Sequence, residues 1–217
     1  MELYIDTANI DEIKQAADLG VLDGVTTNPT LIAKERVDYG KRLAEICAVV
    51  KGPVSAEVIA TDFAGMMKEG QDRAKIAPNI VVKLPSTMDG LKACKHLSDL
   101  GIKTNMTLCF QALQALMVAK AGAYLVSPFI GRLDDIGQEG MDVIHQIRTI
   151  YDNYGYATQV LAASIRHPMH IVQCAEVGAD VATCPLSAIV ALFEHPLTTI
   201  GLEKFLADHR KAAAVKA

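Results

Sequence analysis

Ile80-Val81-Val82-Lys83-Leu84-Pro85 is an apolar run of strand length with a single ammonium group near its end. Consecutive Ile, Val and Leu suit a parallel strand covered on both faces. A packed core has no use for a lone lysine, because Lys is almost never fully buried without a partner. Two readings stay open on these residues alone. The side chain can snorkel or pair with an acid, or it can serve as a nucleophile, since removal from water favours the neutral amine that forms Schiff bases with carbonyl carbons.

Working outward, similar β-rich runs flank this one: Leu3 to Asp6, Gly24 to Thr27, Val54 to Ile59, Lys103 to Leu108, Tyr124 to Phe129, Gln159 to Ala163 and Asp180 to Thr183. They recur roughly every 20 to 30 residues and alternate with amphipathic stretches, the pattern of repeated βα units on a parallel sheet. With Ile80 to Leu84 the units number eight. The expectation is an α/β fold, a single-domain (β/α)8 TIM barrel over residues 1–217 with an extra C-terminal helix. Asn9 caps the first helix with Glu12 three residues on, Ile10, Ile13 and Ala17 share its face, and Gly20 ends it. Further helices are expected over Tyr39 to Val50, Met88 to Leu100, Phe110 to Ala121, Gly137 to Tyr154 and Met169 to Val177, with Gly101, Gly122 and Gly178 at the reversals. The last, Thr198 to Ala217, turns basic at Arg210, Lys211 and Lys216. It reads as a solvated tail or as a helix whose Leu202, Phe205 and Leu206 face docks on a neighbouring subunit.

Half of the 217 residues are hydrophobic and none is Trp, so a core can form without disulfides or metal. A formal net charge of -4 with interspersed signs offers no basic stripe for nucleic acid and no polybasic segment for a membrane surface. A small-molecule ligand becomes the default. The start has no charged n-region followed by an apolar h-region, and no apolar stretch approaches the ~18 residues of a spanning helix, so the expected location is the cytoplasm. Cys47, Cys94, Cys109, Cys174 and Cys184 are odd in number and scattered, which suits reduced core residues. His167, His170 and His195 lack ligand spacing and are expected to pack or cap; no metal is called for.

In a βα barrel, reactive groups gather at the C-terminal ends of the strands. Asp6 closes the first run, Asn28 follows the second, Glu57 lies in the third and Lys83 in the fourth. Asn105 and Thr107 sit in the fifth, Ser127 and Phe129 in the sixth with Arg132 just after, and Ser164 and Arg166 follow the seventh. Asn105/Thr107, Ser127/Phe129 and Ser164/Arg166 have the i, i+2 spacing that puts both members on one side of a strand. Each has a plainer reading too. Asp6 can be a cap, Glu57 a structural partner of Lys83, Asn28 before Pro29 a turn residue, and Arg132 a surface ion pair with Asp134 or Asp135. Ser164-Ile165-Arg166 stands where barrels often hold phosphate.

Asp6-Thr7-Ala8-Asn9, Thr26-Thr27-Asn28-Pro29-Thr30, Val82-Lys83-Leu84-Pro85, Asn105-Met106-Thr107, Ser127-Pro128-Phe129-Ile130-Gly131-Arg132 and Ala163-Ser164-Ile165-Arg166 together resemble the transaldolase family. The length is similar to its compact subfamily, which includes fructose-6-phosphate aldolases. That resemblance implies a class I mechanism without cofactor or metal, in which Lys83 forms a Schiff base with a ketose phosphate. Asp6 is implied as the base at the C4 hydroxyl, and Glu57 with Thr107 as the pair that orders a water at the imine. Asn28, Asn105 and Ser127 would hold hydroxyls of the three-carbon unit, and Arg132, Ser164 and Arg166 the terminal phosphate. The implied partners are sugar phosphates (sedoheptulose 7-phosphate and glyceraldehyde 3-phosphate, erythrose 4-phosphate and fructose 6-phosphate) and further copies of the chain, in a pentamer or decamer. Members that release free dihydroxyacetone carry glutamine where this sequence has Glu57 and tyrosine where it has Phe129. Transfer is therefore the expected reaction, with free cleavage as the alternative. A non-catalytic sugar-phosphate-binding protein is a second alternative, which has no need of an amine at the reacting carbon.

Overall fold

The computed structural model describes residues 1–215, and Lys216 and Ala217, where the basic tail was expected to end, lie outside the described residues. Eight parallel strands close in sequence order into a barrel. They are β1 (Glu2–Asp6), β2 (Gly24–Thr26), β3 (Val54–Glu57), β4 (Ile80–Pro85), β5 (Thr104–Cys109), β6 (Leu125–Pro128), β7 (Gln159–Ala162) and β8 (Val181–Cys184). Around them run α1 (Ile10–Asp18), α2 (Pro29–Lys34), α3 (Tyr39–Val49), α4 (Phe63–Ala74), α5 (Met88–Asp99), α6 (Ala112–Lys120), α7 (Ile130–Asp134), α8 (Met141–Tyr154), α9 (Pro168–Val177), α10 (Leu186–Ala191) and α11 (Pro196–Val215). The single-domain (β/α)8 barrel expected from the periodicity is the observed architecture.

Strand alternation sorts the side chains into two cores. Ile5, Val25, Val54, Ala56, Val82, Leu84, Met106, Val126, Val160 and Ala182 pack in the layer between sheet and helices. Tyr4, Val81, Leu125, Leu161 and Val181 form a separate cluster that fills the cylinder itself. Two residues further along from Tyr4, Val81, Leu125 and Val181 come Asp6, Lys83, Ser127 and Thr183. Strands β1, β4, β6 and β8 thus carry one tier of filling and one tier of polar side chains at the mouth. Gly24 makes room for the filling, since a Cβ there would come within 2.7 Å of the Tyr4 ring and 2.8 Å of the Pro53 carbonyl.

Four helices lie where the sequence reading placed none: α2, α4, α7 and α10. In α2, Pro29 stands in the first turn, where its missing N–H costs nothing, and Asn28 Oδ1 accepts from the Leu31 N–H at 2.9 Å. Helix α4 carries Gly65 and Gly70, which lower its propensity, yet Gly70 lets it lie on Leu97 and Val82. Asn9 does cap α1, through bonds from the Asp11 and Glu12 N–H groups. Helix α11 is set apart: Leu197, Ile200, Leu202, Phe205 and Leu206 are all exposed, Phe205 to 72 %. No described helix is long and apolar enough to cross a membrane.

Candidate active site

The C-terminal ends of the strands surround a cavity of about 710 Å³, lined among others by Asp6, Asn28, Glu57, Lys83, Thr107, Ser127, Phe129, Arg132, Ser164 and Arg166. Of the eleven residues singled out from the sequence, only Asn105 does not border it. Lys83 is 5 % exposed, with Nζ 3.0 Å from the Thr27 carbonyl and 3.2 Å from Glu57 Oε2. Register explains the meeting, because Glu57, Lys83 and Asn105 are direct partners across β3, β4 and β5. The plainer reading of Glu57 as the partner of Lys83 is thus part of the geometry, and it leaves the amine beside a proton acceptor.

Glu57 is itself held from behind. The Tyr39 hydroxyl and Arg73 Nε donate to its backbone carbonyl at 2.7 and 2.8 Å, and the Arg73 guanidinium lies 4.4 Å from the Tyr39 ring centroid. Burial pushes the Tyr39 phenol up to about 12, so it remains a donor at neutral pH. Asp6 does not cap a helix. The Thr26 hydroxyl donates to its Oδ1 at 2.7 Å, and the Thr183 hydroxyl lies 2.7 Å from Thr26 Oγ1. Since the one proton of Thr26 goes to Asp6, Thr183 supplies the second bond.

Across the barrel, Ser127 Oγ donates to Asn105 Oδ1 at 2.6 Å, and Asn105 Nδ2 donates to Ser55 Oγ at 3.0 Å. Asn105 therefore orients Ser127 from beneath, which is why it stays off the cavity wall. The Thr107 hydroxyl is buried without a partner among the described residues. An unpaired buried hydroxyl is costly. It is suited to a water or a substrate oxygen.

Phe129 packs edge-on against Phe110, with centroids 5.7 Å apart, and the Arg132 guanidinium lies 4.7 Å from its ring centroid. Neither Asp134 nor Asp135 pairs with Arg132, as one reading had it; Asp135 takes Arg166 at 2.6 Å and Asp134 takes His170. The i, i+2 reading of Ser164/Arg166 needs correction. Strand β7 ends at Ala162, and Ser164 has φ 60°, a left-handed conformation that breaks the alternation. Both residues reach the mouth from a loop instead. His195 caps α11, its Nδ1 accepting from the Leu197 N–H at 3.2 Å.

Sequence reasoning missed Thr26 and Thr183, although each follows an inward residue by two, and exposed Lys34 on the rim, which lay in an unrecognised helix. Tyr39 and Arg73 have no sequence signal, because their meeting at Glu57 is long-range. No cluster of three His, Cys, Asp or Glu side chains suited to a metal ion occurs among the described residues.

A family model described as Transaldolase/Fructose-6-phosphate aldolase matches residues 3–216. The chain belongs to this family. Its curated relatives include a probable transaldolase of Cytophaga hutchinsonii, 60 % identical over 215 residues that make up 97 % of this chain and 99 % of the relative. One of Phocaeicola vulgatus has the same identity and coverage, and probable transaldolase 1 of Bacillus cereus is 59 % identical over 211 residues, 97 % of this chain and 98 % of its own. Membership of the transaldolase/fructose-6-phosphate aldolase family, inferred from six short motifs, thus extends over nearly the whole chain.

Proposed function

We propose that the protein is a transaldolase that moves a dihydroxyacetone unit from a ketose phosphate (fructose 6-phosphate or sedoheptulose 7-phosphate) to an aldose phosphate (glyceraldehyde 3-phosphate or erythrose 4-phosphate). The observation that carries this reading is the Lys83 amine, buried at the cavity floor between Glu57 and the Thr27 carbonyl. Glu57 takes a proton from the Lys83 ammonium, the freed amine adds to the C2 carbonyl, and loss of water gives an iminium. Asp6 takes the C4 hydroxyl proton, the C3–C4 bond breaks, and its electron pair passes into the iminium to give an enamine as the aldose phosphate leaves. The enamine carbon then attacks the carbonyl of the acceptor, Asp6 returns the proton to the new hydroxyl, and water releases the ketose. Glu57 carries protons at the imine nitrogen, and the unpaired Thr107 hydroxyl holds the water. No step calls for a metal or an organic cofactor.

Ser127, seated by Asn105, and the amide nitrogen of Asn28, whose oxygen accepts from the Leu31 N–H, are suited to hydroxyls of the three-carbon unit. Arg132, Ser164 and Arg166 form the phosphate end, so remote binding energy orients the reacting carbon at Lys83. Phe129 favours transfer over release of free dihydroxyacetone, since an apolar ring brings no proton to the waiting enamine. Borohydride with fructose 6-phosphate is expected to fix an adduct on Lys83, and an unmodified lysine under turnover would favour a binding protein instead. Turnover of fructose 6-phosphate that requires erythrose 4-phosphate supports transfer; dihydroxyacetone released without acceptor supports cleavage. The family resemblance implies a ring-like homo-oligomer, pentameric or decameric, and the exposed apolar residues of α11 offer a face by which that helix reaches a neighbour. Deletion from Thr198 onward then lowers the mass seen by light scattering, and an unchanged mass rejects the assignment. The cytoplasm is the proposed location.

A further inference from the structure

The loop after β7 and helix α7 after β6 are locked together at two levels. At the first, the Ile130 and Gly131 N–H groups donate to the Ala163 and Ser164 carbonyls, both at 3.0 Å. Gly131 has to be glycine there, because a Cβ would lie 2.2 Å from the Ser164 carbonyl oxygen and 2.6 Å from Arg166 Cγ. At the second level stands His170, in the first turn of α9 and 5 % exposed. Its Nδ1 accepts from the Arg166 backbone N–H at 3.3 Å, and its Nε2 lies 3.1 Å from Asp134 Oδ2 at the end of α7. Asp134 cannot turn away, since its Oδ1 accepts from the Gly140 N–H at 2.8 Å.

A backbone N–H can only donate, so Nδ1 has to be the bare nitrogen and Nε2 has to carry the proton that Asp134 receives. Burial, and the electrostatic effect of the His167 ring whose centroid lies 3.8 Å away, push the imidazole down from its usual value and keep Nδ1 free to accept. Ser164 meanwhile holds a left-handed conformation that a residue with a Cβ keeps only when its surroundings over-determine it. Gly131 secures one end of the Ser164–Arg166 segment, and His170 secures the other.

We propose that His170, as the neutral Nε2-protonated tautomer, is the positioning residue of the phosphate-binding loop, fixing the Arg166 backbone against Asp134 so that Ser164 and Arg166 converge on a sugar phosphate with Arg132. This rests on the transaldolase reading of the same site. His170 touches neither the substrate nor Lys83, so its loss weakens phosphate binding and leaves the carbon chemistry intact.

Two near-isosteric variants separate the halves of the bridge. In His170→Asn the carboxamide oxygen falls where Nδ1 accepts from Arg166, whereas the longer chain of His170→Gln reaches Asp134 and leaves the Arg166 N–H without an acceptor. Inhibition by inorganic phosphate and KM for erythrose 4-phosphate are measured beside kcat for transfer from unphosphorylated D-fructose to unphosphorylated D-glyceraldehyde. The expected result is a rise of about tenfold in the phosphate inhibition constant and in KM for His170→Gln, values within about threefold of wild type for His170→Asn, and an unchanged kcat with glyceraldehyde in both. Equal phosphate affinity in the two variants, or an equal loss with both acceptors, overturns the role of His170 alone. A wild-type enzyme indifferent to phosphate, with equal KM for both acceptors, overturns the phosphate reading itself and this inference with it.

Discussion

Replacing Lys83 with methionine removes the amine but keeps most of the side-chain volume, and it strands Glu57. The pair is 3.2 Å apart, the Glu57 side chain is 16 % exposed, and no other ion-pair partner of its carboxylate exists among the described residues. Breaking a buried pair at one end costs about 3 to 5 kcal/mol. Glu57 borders an open cavity, which puts it at the low end, about 3 kcal/mol. For a domain of this size that corresponds to a fall of roughly 6 to 12 °C in Tm. Adding Glu57→Gln removes the stranded charge, and the double variant is expected to recover about 2 kcal/mol of the loss. Urea unfolding and calorimetry at neutral pH measure both steps. Neither variant forms the borohydride adduct, and turnover falls by at least ~10⁴-fold. If Lys83→Met is as stable as wild type and the second substitution changes nothing, the two groups do not share a proton or a charge as the geometry requires.

Phe129→Tyr places a phenol beside the proposed enamine, and acceptor-independent release of dihydroxyacetone from fructose 6-phosphate is expected to rise by roughly tenfold or more; an unchanged release would refute the barrier role of the ring. Gly24→Ala drives a methyl group into the Tyr4 ring and the Pro53 carbonyl and is expected to destabilise by about 1 to 3 kcal/mol in urea, with Lys83 still trapped by borohydride. His170 gives stability a pH dependence. Its folded value lies below the ordinary 6.5, so the unfolded chain takes up the proton first, and the stabilisation present above 6.5 is lost as pH falls through the folded value. The urea midpoint of wild type should therefore fall more steeply below pH 6.5 than that of His170→Asn, and parallel slopes would show that the imidazole is not held neutral.

The residues that were legible in the sequence are those with local signals. Lys83 stood out because an apolar strand contained it, and Asn105/Thr107 because spacing alone sets which side of a strand they face. Helix α4 was not legible, since Gly65 and Gly70 interrupt its pattern and Gly70 acquires its purpose only against Leu97 and Val82. Asn28-Pro29 reads equally as a turn or as a helix start from sequence, and in the structure the pair opens α2. Ser164 followed a strand and was assigned its alternation, whereas its backbone turns left-handed where the loop locks onto Gly131. The bonds to Glu57 from Tyr39 and Arg73, and the bridge from Arg166 through His170 to Asp134, join segments far apart in the chain. No window of sequence contains both ends of such a contact.

Tyr4 and the aliphatic side chains around it stopper the cylinder below Lys83. The pocket is consequently a cul-de-sac, and whatever reaches the amine must come and go by one doorway. In the transaldolase reading, the departing aldose has to vacate the berth that its successor will occupy, while the carbon fragment waits on the enzyme with no rear exit to solvent. On that reading, the single doorway makes the outgoing and incoming aldoses rivals for one berth and forces the two half-reactions to alternate.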